Sequence, residues 1–284
     1  MVPSARVVPA GSLRRGAPLT GTPGSEDGVV TEDVWAGLVD PFVKGAYASV
    51  KGRVRTYVVH QHLTAHLPPP PAAVLDVGGG AGHQSLPLAR LGYEVVLLDS
   101  SEAMLSAAQE RMAAEPAQVR GRVRLVLGRG EDAPSLTGGR AFDAVLCHGV
   151  LMYLPDPAPM VEALCACARP DGLVSVLALN AETLAVRPAL ERRWEDALAA
   201  FDAGGERGVL GLDTRADTVD GLSALLAGHG ARPLAWYGVW LFSDWMSLDA
   251  DDGELARIAQ VELEASRRDP YRRLSRVFHL LARR

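Results

Sequence analysis

The sequence predicts an α/β protein with a parallel sheet and helices on both faces. Three observations carry that expectation. From residue 73 onward, short apolar runs alternate with helical patterns, the order that βα units produce. The connections between those runs are short, as such units require. A glycine-rich stretch, "VGGGAG", closes the first apolar run, where the chain has to turn sharply off a strand.

Taken in order, residues 1–33 are rich in Gly, Pro and Ser and predict a disordered lead that buries little. Residues 34–66 read as helical, a cap placed to lie over a ligand mouth, and "LPPPPAAV" then forms a stiff entry into the sheet. Strands are expected at 74–77, 94–98, 123–127, 144–147 and 173–179, each a short apolar run. Helices are expected between them at 84–91, 101–114 and 158–168, the second capped by Ser101. The last third changes character. There 181–201 reads as helix, 202–217 ("DAGGERGVLGLDTRAD") as loop, 219–227 as helix, 233–239 as strand, 252–266 as helix and 276–282 as a final strand. With no internal repeat and no second core, the organisation expected is one domain over 34–284. It carries an N-terminal helical cap at 34–66 and an inserted cap segment at 181–230.

Composition narrows the class. Hydrophobic residues make up 48% of the 284 and charged residues 22%, which suits a water-soluble protein with a substantial core. No apolar run approaches the roughly 20 residues of a membrane span. The early arginines are not followed by the apolar block of a secretory signal, so a cytoplasmic protein without membrane partners is expected. Cys147, Cys165 and Cys167 form no disulfide framework or metal set and read as small apolar residues in a reduced compartment. The net charge of −5 argues against a general nucleic-acid coat. The stretch 267–284, however, holds seven arginines against Asp269 alone, so it carries +6 and the remainder of the chain −11. A basic tail on an acidic body suggests local recognition of an anion, or a solvated surface.

The glycine loop spans Gly78, Gly79, Gly80, Ala81 and Gly82. Residues without a Cβ let backbone approach a ligand closely. The dinucleotide spacing G-x-G-x-x-G would place a third glycine where His83 stands, and here it arrives one residue early. Asp99 ends the second strand 17 residues beyond Gly82, where a carboxylate can accept hydrogen bonds from both hydroxyls of a ribose. The plainer readings are a simple strand-to-helix turn and a helix-capping Asp.

Four stretches in order, "VLDVGGGAG", "VVLLDSSEAML", "FDAVLCHGVLMYLPDP" and "RPDGLVSVLAL", resemble the successive motifs of class I S-adenosylmethionine-dependent methyltransferases. The resemblance covers about 73–179 and implies a doubly wound, mostly parallel, seven-stranded Rossmann-like sheet with an antiparallel final strand. It implies S-adenosylmethionine as cofactor, with Gly78, Gly79, Gly80 and Gly82 facing its methionine part and Asp99, beside Ser100, on the ribose. It sets Met104 near the adenine, along with Gly130 and Glu131 in "GRGEDAP".

Within that family the chain is similar to the tRNA 5-carboxymethoxyuridine methyltransferases, which esterify a carboxylate on a wobble uridine. Three stretches carry this: "YASVKGRVR" with Tyr47, Lys51, Gly52 and Arg55; "CHGVLMYL" with His148; and "VELEASRRDPYRRLSRVFHLLARR". The resemblance implies that Arg55 and His148 contact the cofactor, and that Tyr47, Lys51, Arg268, Tyr271 and Arg276 meet the substrate. The partner implied is tRNA. Where that group carries a lysine-rich run, this chain reads "GGERGVLG", which supports a small-molecule carboxylate as the competing substrate. The same motifs are compatible with a small-molecule O- or N-methyltransferase, with a non-catalytic cofactor binder and, more remotely, with an NAD-dependent oxidoreductase.

The residues themselves say something about the chemistry. A carboxylate nucleophile is ionised at neutral pH and needs no general base, whereas alcohols and amines often do. No acid/base pair stands out, so no catalytic residue is assigned, and the readier nucleophile is favoured. Arginine, whose planar fork matches a carboxylate, is abundant at 268–276. Glu262 falls in the apolar stripe of its helix and is expected to pair with one of those arginines rather than act as a base. His148, at the C-terminal edge of the sheet, favours a site role. Tyr153 reads as packing, as do Trp236, Trp240, Phe242 and Trp245. His60, His62 and His66 have poor spacing for a metal on one helix face, and no metal is expected.

Overall fold

The computed structural model describes residues 35–208, 211–245 and 250–284. The expected lead at 1–33 lies outside the described residues. The described chain begins with a π-helical turn at Pro41–Ala46 and helix α1 (Val50–Thr64), whose first turn is capped by Ser49 Oγ accepting from Gly52 N at 3.1 Å. There follow β1 (Ala73–Val77), α2 (Ser85–Arg90), β2 (Glu94–Asp99), α3 (Glu102–Ala113), α4 (Ala117–Arg120), β3 (Val123–Leu127), α5 (Ala133–Leu136) and β4 (Phe142–His148). Next come α6 (Ala158–Cys167), β5 (Ala168–Leu179), α7 (Val186–Leu190), α8 (Trp194–Ala200), β6 (Gly205–Arg207) and β7 (Asp213–Arg215). The chain ends with α9 (Val219–Gly228), β8 (Arg232–Val239), α10 (Phe242–Trp245), α11 (Asp252–Ala265) and β9 (Val277–Arg283).

The main sheet has seven strands in the order β3-β2-β1-β4-β5-β9-β8. The first five run parallel, and β9 lies antiparallel between β5 and β8. This is the doubly wound, mostly parallel architecture expected. Side chains alternate across it with period two. Leu75 and Val77 face one apolar cluster with Val161 and Leu164 of α6 and Leu222 and Leu226 of α9. Val74 faces the other cluster, with Val54, Val58 and Leu63 of α1 and Ala259 of α11. The order of strands reverses between β1 and β4, so the C-terminal ends of these neighbours border a crevice.

The inserted segment departs from expectation in two places. Instead of one helix at 181–201, a 3-10 turn (Ala181–Thr183) leads to two short helices, α7 and α8. Between them Arg192 takes φ 61, a conformation that no continuous right-handed helix contains. Instead of loop, 202–217 includes the antiparallel pair β6–β7. Glycine permits that pairing, because a Cβ at Gly205 would fall 2.0 Å from Thr214 O. Among the described residues, no helix is long and apolar enough to cross a membrane.

Candidate functional site

At the end of β1, Gly78 N and Gly79 N both donate to Leu98 O, at 2.7 and 3.3 Å, which folds the glycine loop over the end of β2. Gly78, Gly80 and Gly82 take φ of 68, 52 and 75, values that L side chains adopt at a cost of roughly 1–2 kcal/mol. A Cβ at Gly78 would lie 2.3 Å from Val150 Cγ2, while one at Gly80 would meet nothing within 4 Å, because that backbone borders an open cavity. Asp99 ties the two loops together: Oδ2 accepts from Gly80 N at 2.8 Å and Oδ1 from Ser101 N at 2.9 Å. Beneath the loop, Asp76 accepts from Ser85 Oγ at 2.6 Å, and burial pushes its carboxyl up to about 6. Asp76 is the one charged residue in the apolar run "AVLDV", a signal from which a buried, partnered carboxyl could have been found.

This cavity measures about 530 Å³, within the usual range for a small-ligand site of roughly 300–1,000 Å³. Gly78, Gly79, Gly80, Asp99, Ser100 and Met104 form one part of its wall. Gly130 and Glu131 stand on another, with Met160 beside them. Backbone bare of side chains and a carboxylate for the sugar and charged parts, with apolar side chains for a base, fit an adenosyl cofactor. Gly82 does not line the cavity; a Cβ there would point at Leu97 and Leu86 instead. His83 does line it, stacked on Tyr47 at 3.7 Å, and burial holds its imidazole down to about 3.

A second cavity of about 300 Å³ adjoins the first. Phe42, Tyr47, His148, Gly149 and Tyr153 line both and form the wall between them. Lys51, Arg55, Arg187 and Arg276 bring four cations to the second cavity, among Met152, Leu177 and other apolar groups. Two carboxylates answer them. Asp244, fully buried, pairs with Lys51 and Arg187 and lies 3.9 Å from Arg276 Nε, while Glu206 pairs with Arg276 Nη2. Arg276 Nη1 is buried with no hydrogen-bond partner among the described residues. Burial, with Arg187 adding to it, lowers the Arg276 guanidinium to about 10. Burial also lowers Lys51, against the opposing pull of Asp244. Arg55 has no carboxylate partner among the described residues; its Nη1 donates to Tyr47 Oη at 2.6 Å. Trp240, at φ 61, closes one side, its indole N–H donating to Lys51 O at 2.9 Å and its ring 4.3 Å from the Lys51 ammonium. Arg187, Glu206, Asp244 and Trp240 had no sequence signal as site residues, because only the tertiary fold brings their segments together.

The structure does not bring Arg268 and Tyr271 to this cavity. Arg268 is exposed and pairs with Glu264 one turn away, and Tyr271 is exposed with its ring 6.3 Å from that of Phe242. Glu262 is buried, in keeping with its position in the stripe, but its partners are not arginines. It accepts from Leu241 N at 3.0 Å and Ser243 N at 2.6 Å, the N–H groups that open α10, where helical donors lack intrahelical acceptors. Tyr153, read as packing, faces both cavities, whereas Trp236 packs against Arg272. The three cysteines are buried with unpaired thiols, and burial raises each of them.

The sequence pattern of a family described as "Methyltransferase domain" matches residues 75–174. The chain is 26% identical over 251 residues to the tRNA 5-carboxymethoxyuridine methyltransferase of Escherichia coli (strain K12), covering 87% of this chain and 94% of that protein. It is 34% identical over 120 residues to the ubiquinone biosynthesis O-methyltransferase of Xanthomonas axonopodis pv. citri (strain 306), 42% of this chain and 48% of that one. In fold it is similar to the magnesium protoporphyrin IX methyltransferase of Synechocystis PCC 6803, solved with bound S-adenosylhomocysteine. That likeness has a TM-score of 0.60 at 17% identity and covers 91% of this chain and 100% of the other.

Proposed function

The chain is a class I S-adenosylmethionine-dependent methyltransferase, and from that premise we propose that it esterifies a carboxylate on an acceptor held in the smaller cavity. The observation that carries this reading is the buried, unpartnered Nη1 of Arg276 in a wall where four cations meet two carboxylates. Such a wall has two positive charges in excess and a donor that lacks an acceptor. An unmet buried donor is costly, by about 1–3 kcal/mol, and an anionic group of the substrate satisfies it.

When bound, S-adenosylmethionine supplies a methyl group already activated on a sulfonium. The protein's part is to align and to exclude water. In this reading Gly78, Gly79 and Gly80 let the backbone lie against the methionine portion, Asp99 and Ser100 receive the ribose, and Met104, Gly130 and Glu131 border the adenine. His148, at the junction of the cavities, and Arg55, which lines the smaller cavity alone beside Gly149, orient the cofactor's methionine end toward the acceptor. Arg276 and Lys51 hold the acceptor carboxylate, and Tyr47 closes the side between the two. No residue has to remove a proton, because the nucleophile is already ionised at neutral pH.

The first candidate acceptor is 5-carboxymethoxyuridine in tRNA, supported by a likeness that runs over nearly the full length of the Escherichia coli enzyme. A free small carboxylic acid is the second reading, and a specific feature favours it. The arginines at 268, 272, 273 and 276 all face carboxylates of the chain itself, so the basic tail offers little to a phosphate backbone. Incubation with methyl-labelled cofactor distinguishes the two. Label enters tRNA from a strain lacking the modification, or else a panel of small carboxylic acids, as an ester released by mild base. Label that resists base, or enters neither class, ends the carboxylate reading.

A further inference from the structure

A buried chain of hydrogen bonds runs from the wall between the cavities to the end of α11. His148 Nε2 lies 2.8 Å from Ser175 Oγ, which lies 2.7 Å from His279 Nε2. His279 Nδ1 lies 3.3 Å from His62 Nδ1, and His62 Nε2 lies 2.8 Å from Ser266 Oγ. Ser266 Oγ donates to Leu263 O at 2.7 Å. Ser175, His279, His62 and Ser266 are all buried, and of the five side chains only His148 lines a cavity. The ring of Tyr237 stacks on His62 at 4.0 Å and holds its plane.

The protons in this chain can be placed one at a time. A carbonyl oxygen only accepts, so Ser266 spends its single proton on Leu263 and must accept from His62 Nε2–H. The reverse arrangement would leave two oxygens 2.7 Å apart with no proton between them. A neutral imidazole carries one N–H, so His62 Nδ1 is bare and accepts from His279 Nδ1–H. His279 Nε2 is then bare and accepts from the Ser175 hydroxyl, whose oxygen accepts from His148 Nε2–H. His148 Nδ1 is left as a lone pair. Burial keeps the rings neutral: it holds His62 down to about 2 and His279 to about 3, and His148 well below the usual range, with neighbouring cationic groups acting in the same direction. His148 Nδ1 itself is buried with no partner among the described residues.

We propose that Ser266, His62, His279 and Ser175 are positioning residues that fix the tautomer of His148, so that its bare Nδ1 accepts a hydrogen bond from an N–H or O–H of the ligand at the cavity junction. A ligand offering an acceptor there sets two lone pairs against each other and is rejected. The ligand contact rests on the reading of these cavities as cofactor and acceptor sites, while the tautomer does not.

Ring-nitrogen NMR of ligand-free protein labelled with ¹⁵N-histidine reads each proton directly. The expected pattern is Nε2–H for His148 and His62 and Nδ1–H for His279. A His148 ring with its proton on Nδ1, or with both nitrogens protonated at pH 7, overturns the proposal, and this arm needs no variant to fold. Ser266→Ala removes the group that sets the direction. It is expected to mix the His148 tautomers and lower kcat/KM about tenfold, the worth of one neutral hydrogen bond, while Ser266→Thr keeps the hydroxyl and restores both. An unchanged His148 spectrum in Ser266→Ala overturns the relay, and a changed spectrum with unchanged kcat/KM overturns the ligand contact. Failure of methyl transfer to every carboxylate tested sinks the acceptor reading and leaves the spectrum standing.

Discussion

Arg276 shows how one side chain is divided between structure and ligand. Its Nη2 holds Glu206 on the β6–β7 pair, its Nε faces Asp244 at 3.9 Å, and its Nη1 is the buried donor without a partner. A guanidinium can serve three directions at once because its five donors lie in a rigid planar fork. Arg276→Gln is therefore expected to lower kcat/KM for the acceptor by about 10- to 100-fold, the range for losing a hydrogen bond to a charged group. Cofactor affinity, measured by calorimetry with S-adenosylhomocysteine, should not change, because Arg276 does not line the larger cavity. Arg276→Lys should fall between, keeping the charge without the fork. Equal losses in acceptor kinetics and cofactor affinity would show that Arg276 holds the fold rather than the acceptor.

At the scale of elements, α10 depends on a residue of α11. Glu262 accepts two N–H groups at the start of α10, and α10 carries Asp244, on which Lys51 and Arg187 converge. Glu262→Gln keeps the shape but leaves one carbonyl oxygen for two donors. The expected cost is about 1–3 kcal/mol, with a raised KM for the acceptor and unchanged cofactor binding; steady-state kinetics with thermal unfolding reads both, and an unchanged acceptor KM removes the link from α10 to the cavity. The same contrast governs what the sequence could tell. Strands and helices over 73–179 were legible because alternation of apolar residues is a local signal, and the glycine loop and Asp99 came with it. The partner of Glu262 was not legible, since an inward acid announces a partner without saying that it is backbone. Nor was the break at Arg192 or the β6–β7 pairing, which depend on a single positive φ and on contact across 205–215. Lys51 and Arg276 stand out only through family resemblance, and the same resemblance points to Arg268 and Tyr271, which the fold directs elsewhere.

For the whole molecule, burial of neutral imidazoles ties stability to pH. His62, His83 and His279 have folded values of about 2, 3 and 3 against an ordinary 6.5, and His148 is lowered well below it. Between those values the unfolded chain binds more protons than the native one, so stability rises with pH across that window. The contribution is fully present above about 6.5 and is lost progressively as pH falls toward the folded values. Asp76 has the opposite sign: its carboxyl is raised to about 6 from 3.8, so its contribution is present below 3.8 and lost as pH rises through about 6. With His60 and His66 also lowered by burial and Asp217 also raised by it, six imidazoles against two carboxyls decide the direction. The midpoint of thermal unfolding is expected to fall between pH 7 and pH 5, by about 2–4 °C for each kcal/mol lost in a chain of this size. His83→Phe keeps an aromatic ring against Tyr47 while removing one titrating group, and should make the fall shallower. A midpoint that holds level or rises on acidification over that range would mean that the imidazoles are charged in the folded protein, and with that the tautomer order running from Leu263 to His148 would fail as well.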